Sequence, residues 1–261
     1  VSFRCSTDRA AWPWLALVPT HPIAVLNMQY WISVGAAKAR GTMDDAKWTA
    51  LTWTDWNCGP PGAGAPVRGT ASTDTNGKRD QYVLSLFDRA DVPVLTMRGE
   101  GVVFRSRDFE SWRAGSKKEI APLPDISGFE FADRHAAGCQ NTGPALISSL
   151  LDEDQTGFKG LCADGLISTD NAMPPAHPYM SGSGDHVNAT HLAEAAHQFV
   201  HLLEGGTLLR ITGGEMRFNR YVELGRPFRI ESTHHAAGEA SMTISQAGRQ
   251  CSEITLRYTH A

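Results

Sequence analysis

The chain has 261 residues, 41% hydrophobic and 20% charged, with a formal net charge of −4. That length allows one large domain or two small ones, and the apolar share suffices for a packed core. The charge gives no electrostatic case for nucleic acid or an anionic membrane as partner, and no apolar run approaches the roughly 18–20 residues that span a bilayer.

In chain order, Val1-Ser2-Phe3-Arg4-Cys5 carries neither the charged nor the apolar region of a secretory leader and no initiator Met; a cytoplasmic protein with a trimmed start is expected. Residues 22–39 are apolar on nearly every face, which predicts a buried helix. Thr20 is its expected N-cap, and Pro22 suits the first turn. Strands are predicted at 48–56, 66–73, 81–88 and 92–105, separated by Pro60-Pro61-Gly62, Asn76-Gly77 and Asp88-Arg89-Ala90-Asp91. Residues 107–157, rich in Pro, Gly and charge, read as an irregular connector. A second helix is predicted at 188–203. Strands follow at 208–213, 215–221, 226–234, 240–246 and 250–260, with Ala247-Gly248 as the last turn. The five cysteines (5, 58, 139, 162 and 251) are odd in number and lack CxxC spacing. They point to free thiols in a reducing compartment, not to disulfides or structural zinc.

The halves match in detail. Thr20-His21 and Asp185-His186 each lead into a helix, and each His stands at the same offset from a Gly-Thr pair, Gly41-Thr42 and Gly206-Thr207. The final hairpins, 81–99 and 240–257, also correspond. One helix-plus-sheet unit is therefore written twice, over 1–106 and 158–261. In this register Gln29 lies opposite Glu194, and unlike polar residues at matching positions mark the place to look for chemistry.

Glu194 sits mid-helix among Leu192, Ala193, Ala195, Ala196 and Phe199. A buried carboxylate there is costly unless paired or protonated, and burial suits it to general acid–base work; a solvent-facing Glu is the ordinary alternative. Gln198, one turn on, can hold that carboxyl group or a water, or stand exposed. His21 and His186 stand at helix N-termini, where the dipole favours a neutral, proton-accepting ring; capping is the ordinary alternative. Asn188 and Tyr179 are donors near the second helix entry, where backbone N–H groups can bind an oxygen gaining charge, although Asn188 equally suits a plain N-cap. Trp48, Trp53 and Trp56 on the first predicted sheet could line an apolar tunnel, but such residues more often pack the core. His177 and the pair His234-His235 form no HxH or HExxH pattern, so no metal is expected. Neither Gly205-Gly206 nor Gly213-Gly214 belongs to a nucleotide loop, so no cofactor is expected.

Gly184-Asp185-His186-Val187 followed by Glu194-Ala195-Ala196-His197-Gln198-Phe199 resembles the helix entry of the 3-hydroxyacyl carrier-protein dehydratases. There a Gly-Asp-x-Val stretch leads to an acid, with Gln four residues later. The same stretch is similar to the A-factor-biosynthesis hot-dog family. Tyr179, His186 and Asn188 are similar to the motif of a long-chain fatty-acyl thioesterase family, which lacks an acid at the Glu194 position. The resemblance implies an α+β double hot-dog, two long buried helices each wrapped by an antiparallel β-sheet. It implies an acyl-thioester substrate on coenzyme A or an acyl carrier protein, and a monomeric pseudo-dimer or a homodimer. By analogy with single-unit hot-dog dimers, His21 of one half faces Glu194 of the other. The mirror pair, His186 or His177 with Gln29, cannot relay a proton. Gln198, Gln29 and His177 are expected at the substrate. The leading expectation is dehydration of a 3-hydroxyacyl thioester in polyketide or fatty-acid-type biosynthesis. His21 would take the C2 proton while Glu194 protonates the departing hydroxyl. A thioesterase and a non-catalytic acyl-binding scaffold are the alternatives.

Overall fold

The computed structural model describes residues 1–44, 49–74, 81–103, 109–118, 125–152, 160–182 and 185–261. Trp48, the Asn76-Gly77 turn and Gly184 lie outside the described residues.

Helix α1 (Pro22–Ala39) begins one residue later than the Thr20 cap implies. His21 is the N-cap, and its ring Nδ1 accepts the Ile23 N–H at 3.3 Å. Pro22 at the first position has no N–H to satisfy. The helix stops at Gly41, whose φ of +66° lets Gly41 N–H reach Lys38 O and Thr42 N–H reach Ala37 O. Burial runs from Pro22 to Gln29. It then fails: Tyr30 is 58% exposed, and Trp31 packs edge-on against Trp12 instead of the core. The expectation of a helix buried on every face therefore holds for the first half only.

Among the described residues, ten strands form one antiparallel sheet: β1 (Ser2–Arg4), β2 (Thr49–Cys58), β3 (Arg68–Asp74), β4 (Gln81–Phe87), β5 (Pro93–Val103), β6 (Cys162–Gly165), β7 (Leu209–Phe218), β8 (Phe228–Ala236), β9 (Glu239–Gln246) and β10 (Arg249–His260). Their order across the sheet is β1-β3-β4-β5-β2-β7-β10-β9-β8-β6. The order is mirrored about its centre: β2 and β7, the strands that follow the long helices, pair with each other, and each hairpin lies outside them. The junction pairs Trp53 with Arg217 through Asn57 with Gly213.

Residues 208–213 and 215–221, expected as two strands, are one. Gly213-Gly214 does not break β7 but gives way to its neighbours. A Cβ on Gly214 would lie 2.4 Å from the Trp56 indole, and one on Gly213 would lie 2.7 Å from Trp56 O. Trp56 itself is fully buried. The segment read as an irregular connector contains a helix, α2 (Phe109–Lys118). It is held to the second half by Arg113, only 3% exposed, whose guanidinium makes two bonds of 2.8 and 2.7 Å to Glu223 and one of 2.8 Å to Asp185. A short helix, α3 (Thr169–Ala172), is closed by a Ser168 capping box.

Helix α4 (Ala189–Leu203) has Asn188 as its N-cap. It starts three residues beyond His186, whereas α1 starts directly after His21, so equal spacing in the sequence does not put the two histidines at equivalent points. α4 packs against α1. Ile23, Val25, Leu26 and Met28 share one core with Leu192, Ala193, Ala195, Ala196 and Phe199. The alanines let the helices approach closely, and Phe199, fully buried, contributes about 1.5–3 kcal/mol by leaving water. No described helix is long and apolar enough to cross a membrane.

Candidate active site

Four polar side chains follow one another down α4 at the helical spacing: Glu194, His197, Gln198 and His201. All are at most 5% exposed. Burying one such group costs kilocalories unless it is served by partners, so a whole polar face inside the core needs an explanation beyond stability.

Gln198 answers for half of Glu194. Its amide donates to Glu194 Oε1 at 3.0 Å while its own carbonyl oxygen takes the Leu146 N–H at 2.8 Å. The other carboxylate oxygen, Oε2, is buried with no hydrogen-bond partner. His21 Nε2 faces it at 3.8 Å from the end of α1, and His197 Nδ1 at 3.5 Å. Both ring nitrogens are also buried without a hydrogen-bond partner. The His21 and His197 rings meet edge-on at 4.8 Å, and His197 Nε2 continues to His201 Nε2 at 3.2 Å.

The His21 tautomer follows from its cap. Nδ1 spends its lone pair on Ile23 N–H, so a neutral ring carries its proton on Nε2, the atom aimed at Glu194. Burial raises the Glu194 carboxyl, but the His197 contact, the facing His21 ring and the Gln198 amide outweigh it and hold it at about 2. Burial drives the His21 imidazole down to about 3 against the pull of the Glu194 charge. These two shifts compete, because the full lowering of Glu194 needs a charged His21. The direction that stands is an ionised Glu194 facing an uncharged His21 ring, since the Gln198 amide serves the carboxylate without a second charge.

His177 completes the cluster from the side. It is fully buried and neither ring nitrogen has a partner. Burial lowers its imidazole, and the Glu194 charge opposes that shift. Gly143 lies flat on the ring, where a Cβ would come within 2.4 Å. Gly143, Pro144, Ala176, Pro178 and Tyr179 line a surface cavity of about 490 Å³. Gly143 thus touches the cavity on one side and the His177 ring on the other.

The other expected residues fall elsewhere. His186 joins the Arg113 group: its Nδ1 lies 3.1 Å from Asp185 Oδ2 and its ring 4.4 Å from that of Tyr221. Asn188 acts as a cap, taking the His191 N–H at 3.1 Å and donating to Ser181 O at 2.6 Å. Tyr179 reaches α1 through its backbone oxygen, which accepts from the Asn27 amide at 3.4 Å. Gln29 donates to the Tyr82 hydroxyl and accepts from Thr54 at 3.3 Å, so the mirror position holds a satisfied amide. His191 is likewise satisfied, by Asn188 N–H and Ala172 O. His197 and His201 were not singled out from the sequence. Their signal is the run Glu-x-x-His-Gln-x-x-His on a helix read as buried.

Although no metal was expected, one group of three among the described residues brings ligand atoms within 4.8 Å of one another: His21, Glu194 and His197.

No family model matches the chain, and no curated protein matches it. Solved structures do. A 12:0-ACP thioesterase from Umbellularia californica superposes with a TM-score of 0.59 at 10% identity, covering 100% of this chain and 96% of its own. An acyl-ACP thioesterase from Bacteroides thetaiotaomicron gives 0.58 at 11% identity, covering 99% and 96%. At such identity the likeness is one of fold, and it extends over the whole chain: a large antiparallel sheet with few helices, the hot-dog fold that the sequence resemblance implies.

Proposed function

We propose that the chain is a double hot-dog enzyme, units 1–106 and 158–261 joined by 107–157, that hydrolyses an acyl thioester carried on an acyl carrier protein or coenzyme A. It would work in the cytoplasm. One observation carries the reaction: a buried donor, His21 Nε2–H, and a buried acceptor, Glu194 Oε2, face each other at 3.8 Å, and neither has a hydrogen-bond partner. Two adjacent unserved atoms, one a donor and one an acceptor, suit a substrate oxygen on the first and a water on the second once the side chains part to admit them.

In this reading the Glu194 carboxylate draws a proton from water as the water oxygen bonds to the thioester carbon. The carbonyl electron pair moves onto oxygen, where His21 Nε2–H donates to it; one such donor is worth about 3–4 kcal/mol. On collapse the C–S bond breaks, and Glu194 returns its proton to the thiolate sulfur. The products are a free acid and a thiol. Gln198 positions the carboxylate, and the cavity beside Gly143 is the entrance. Both solved structures named above are described as thioesterases of acyl-ACP, which favours the same substrate class.

Dehydration of a 3-hydroxyacyl thioester is the second reading. It is favoured by the approach of His21 and Glu194 from different halves, with Gln198 four residues beyond the acid. It needs a protonated Glu194 and a His21 proton on Nδ1, where Ile23 N–H now points, and it therefore ranks below hydrolysis. Mass spectrometry of saturated and 3-hydroxyacyl thioesters, offered side by side on both carriers, tests the choice. Free acid from both substrates is the expected result. Loss of water from the 3-hydroxy substrate alone would transfer the assignment to the dehydratase, and no turnover of either would leave the scaffold.

A further inference from the structure

We infer that His21, Glu194 and His197 form a binding site for a divalent transition-metal ion, zinc above all, and that occupancy excludes acid–base work at the same atoms. The exclusion rests on the thioesterase reading; the site itself does not.

Three observations converge. The first is spacing. Glu194 Oε2 lies 3.8 Å from His21 Nε2 and 3.5 Å from His197 Nδ1, with all three atoms inside 4.8 Å. A tetrahedral ion with bonds of about 2.0–2.1 Å sets its ligand atoms about 3.3–3.5 Å apart, so loading asks for a few tenths of an ångström on the carboxylate side and for the two ring nitrogens, which lie within 4.8 Å, to close by up to roughly 1.3 Å through rotation of the His21 ring as it leaves its cap. The second is vacancy of bonding: each of the three atoms is buried without a hydrogen-bond partner, while the remaining polar atom of each side chain is engaged. The third is support. Gln198 holds the far oxygen of Glu194 at 3.0 Å, and His201 engages the far nitrogen of His197 at 3.2 Å. If His197 donates there, its Nδ1 is left as a lone pair facing the centre, which is the form a metal takes.

The chemistry of the donors selects the ion. Two imidazoles and one carboxylate with an open fourth position match zinc, and a single hard oxygen suits calcium and magnesium poorly. Glu and His three apart on a helix are also the spacing by which one helix offers two ligands to one centre. His21 must change to join them. Its proton moves from Nε2 to Nδ1, and the 3.3 Å bond from Ile23 N–H is given up. One long hydrogen bond is thus exchanged for a metal bond, and the ion then occupies the lone pair of Glu194 on which hydrolysis depends.

The test uses the full chain, freed of metal by a chelator. Zn²⁺ uptake is read by equilibrium dialysis and Co²⁺ uptake by its visible spectrum, with Mg²⁺ as the control ion. One Zn²⁺ per chain, the intense bands of four-coordinate Co²⁺ and no Mg²⁺ uptake are expected. Glu194→Gln and His197→Gln, each checked for folding by circular dichroism, should weaken Zn²⁺ binding on the order of 100-fold or more. Lack of stoichiometric Zn²⁺, or binding unchanged in both variants, overturns the site. Thioester turnover of the same samples should fall in proportion to occupancy; unchanged or increased turnover overturns the exclusion. If the metal-free protein turns over no thioester, the enzymatic reading fails separately, and dialysis still decides the metal.

Discussion

Gly214 on β7 lies directly against the indole of Trp56 on β2, so closely that a Cβ would sit 2.4 Å from the ring and 2.9 Å from Thr255 O. This contact closes the seam where the two halves of the sheet meet. Trp56 is fully buried and cannot swing away without opening the core. Gly214→Ala should therefore destabilise the protein by about 1–3 kcal/mol through overpacking. Trp56→Phe in the same chain should recover part of that loss, because the smaller ring leaves room while Thr255 O does not move. Urea denaturation of the two single variants and the double variant measures the coupling; simple additivity would show that the ring is not the obstacle.

Arg113 carries α2 onto the second half through its forked contact with Glu223 and its bond to Asp185, with the guanidinium also 4.4 Å from the centre of the Tyr221 ring. Removing one partner of a buried pair leaves the other charge unserved, so Arg113→Ala should cost about 3–5 kcal/mol. Arg113→Met with Glu223→Leu should cost much less, since no unpaired charge remains at that position. Thermal melts of the two variants make the comparison.

The two long helices and the final hairpin were legible because their signals are local: Pro22 before an apolar run, Gly41 after it, Ala247-Gly248 between alternating strands. The approach of His21 to Glu194 at 3.8 Å was legible only through the hot-dog resemblance, in which a His of one unit faces an acid of the other; the repeat by itself pairs neither. What the sequence concealed depends on partners distant along the chain. Gly213-Gly214 looks like a break until Trp56 is set opposite it. α2 hides among Pro-rich and Gly-rich flanks because its anchor, Arg113, finds Glu223 110 residues away. His186 shares the His21 offset from a Gly-Thr pair, yet α4 begins at Ala189, so its ring turns to Asp185. His197 and His201 carry no individual mark of function in the sequence, because a histidine on a buried helix is most often a satisfied core residue, as His191 is here.

Glu204, the C-cap of α4, gathers the ends of three elements. It accepts from Tyr258 at 2.5 Å, His235 at 2.7 Å and His260 at 2.8 Å. The Tyr258 hydrogen bond, followed by those from His235 and His260, holds its carboxyl at about 2, below the ordinary 4.5. A carboxyl lowered by folding contributes stability that is fully present above its unfolded value and is lost as pH falls through the folded one. Wild-type protein should therefore lose thermal stability as pH drops from about 4.5 towards about 2. Glu204→Gln should start lower at neutral pH and show a shallower acid decline. Melting temperature against pH for both proteins is the measurement, and parallel curves would remove Glu204 from the account.

The roles of His21 and Glu194 separate in kinetics. Glu194→Gln keeps the shape and the Gln198 contact but removes the base, so turnover should fall on the order of 10²–10⁴-fold with little loss of folding. His21→Ala removes the donor to the thioester oxygen and should lower kcat on the order of 10²–10³-fold, with KM nearly unchanged, because the bond matters most as charge develops. His186→Ala should change turnover little, since its ring belongs to the Asp185 group. The pH profile identifies the base. Contacts in the site hold Glu194 below the ordinary carboxylate range, so it stays ionised through the neutral range, and kcat/KM should show no acid limb between pH 8 and the ordinary carboxylate value of about 4.3. An acid limb near the ordinary histidine value of about 6.5 would instead make an imidazole the base. In that case His21, or His177 beside it, would take the role assigned here to the carboxylate.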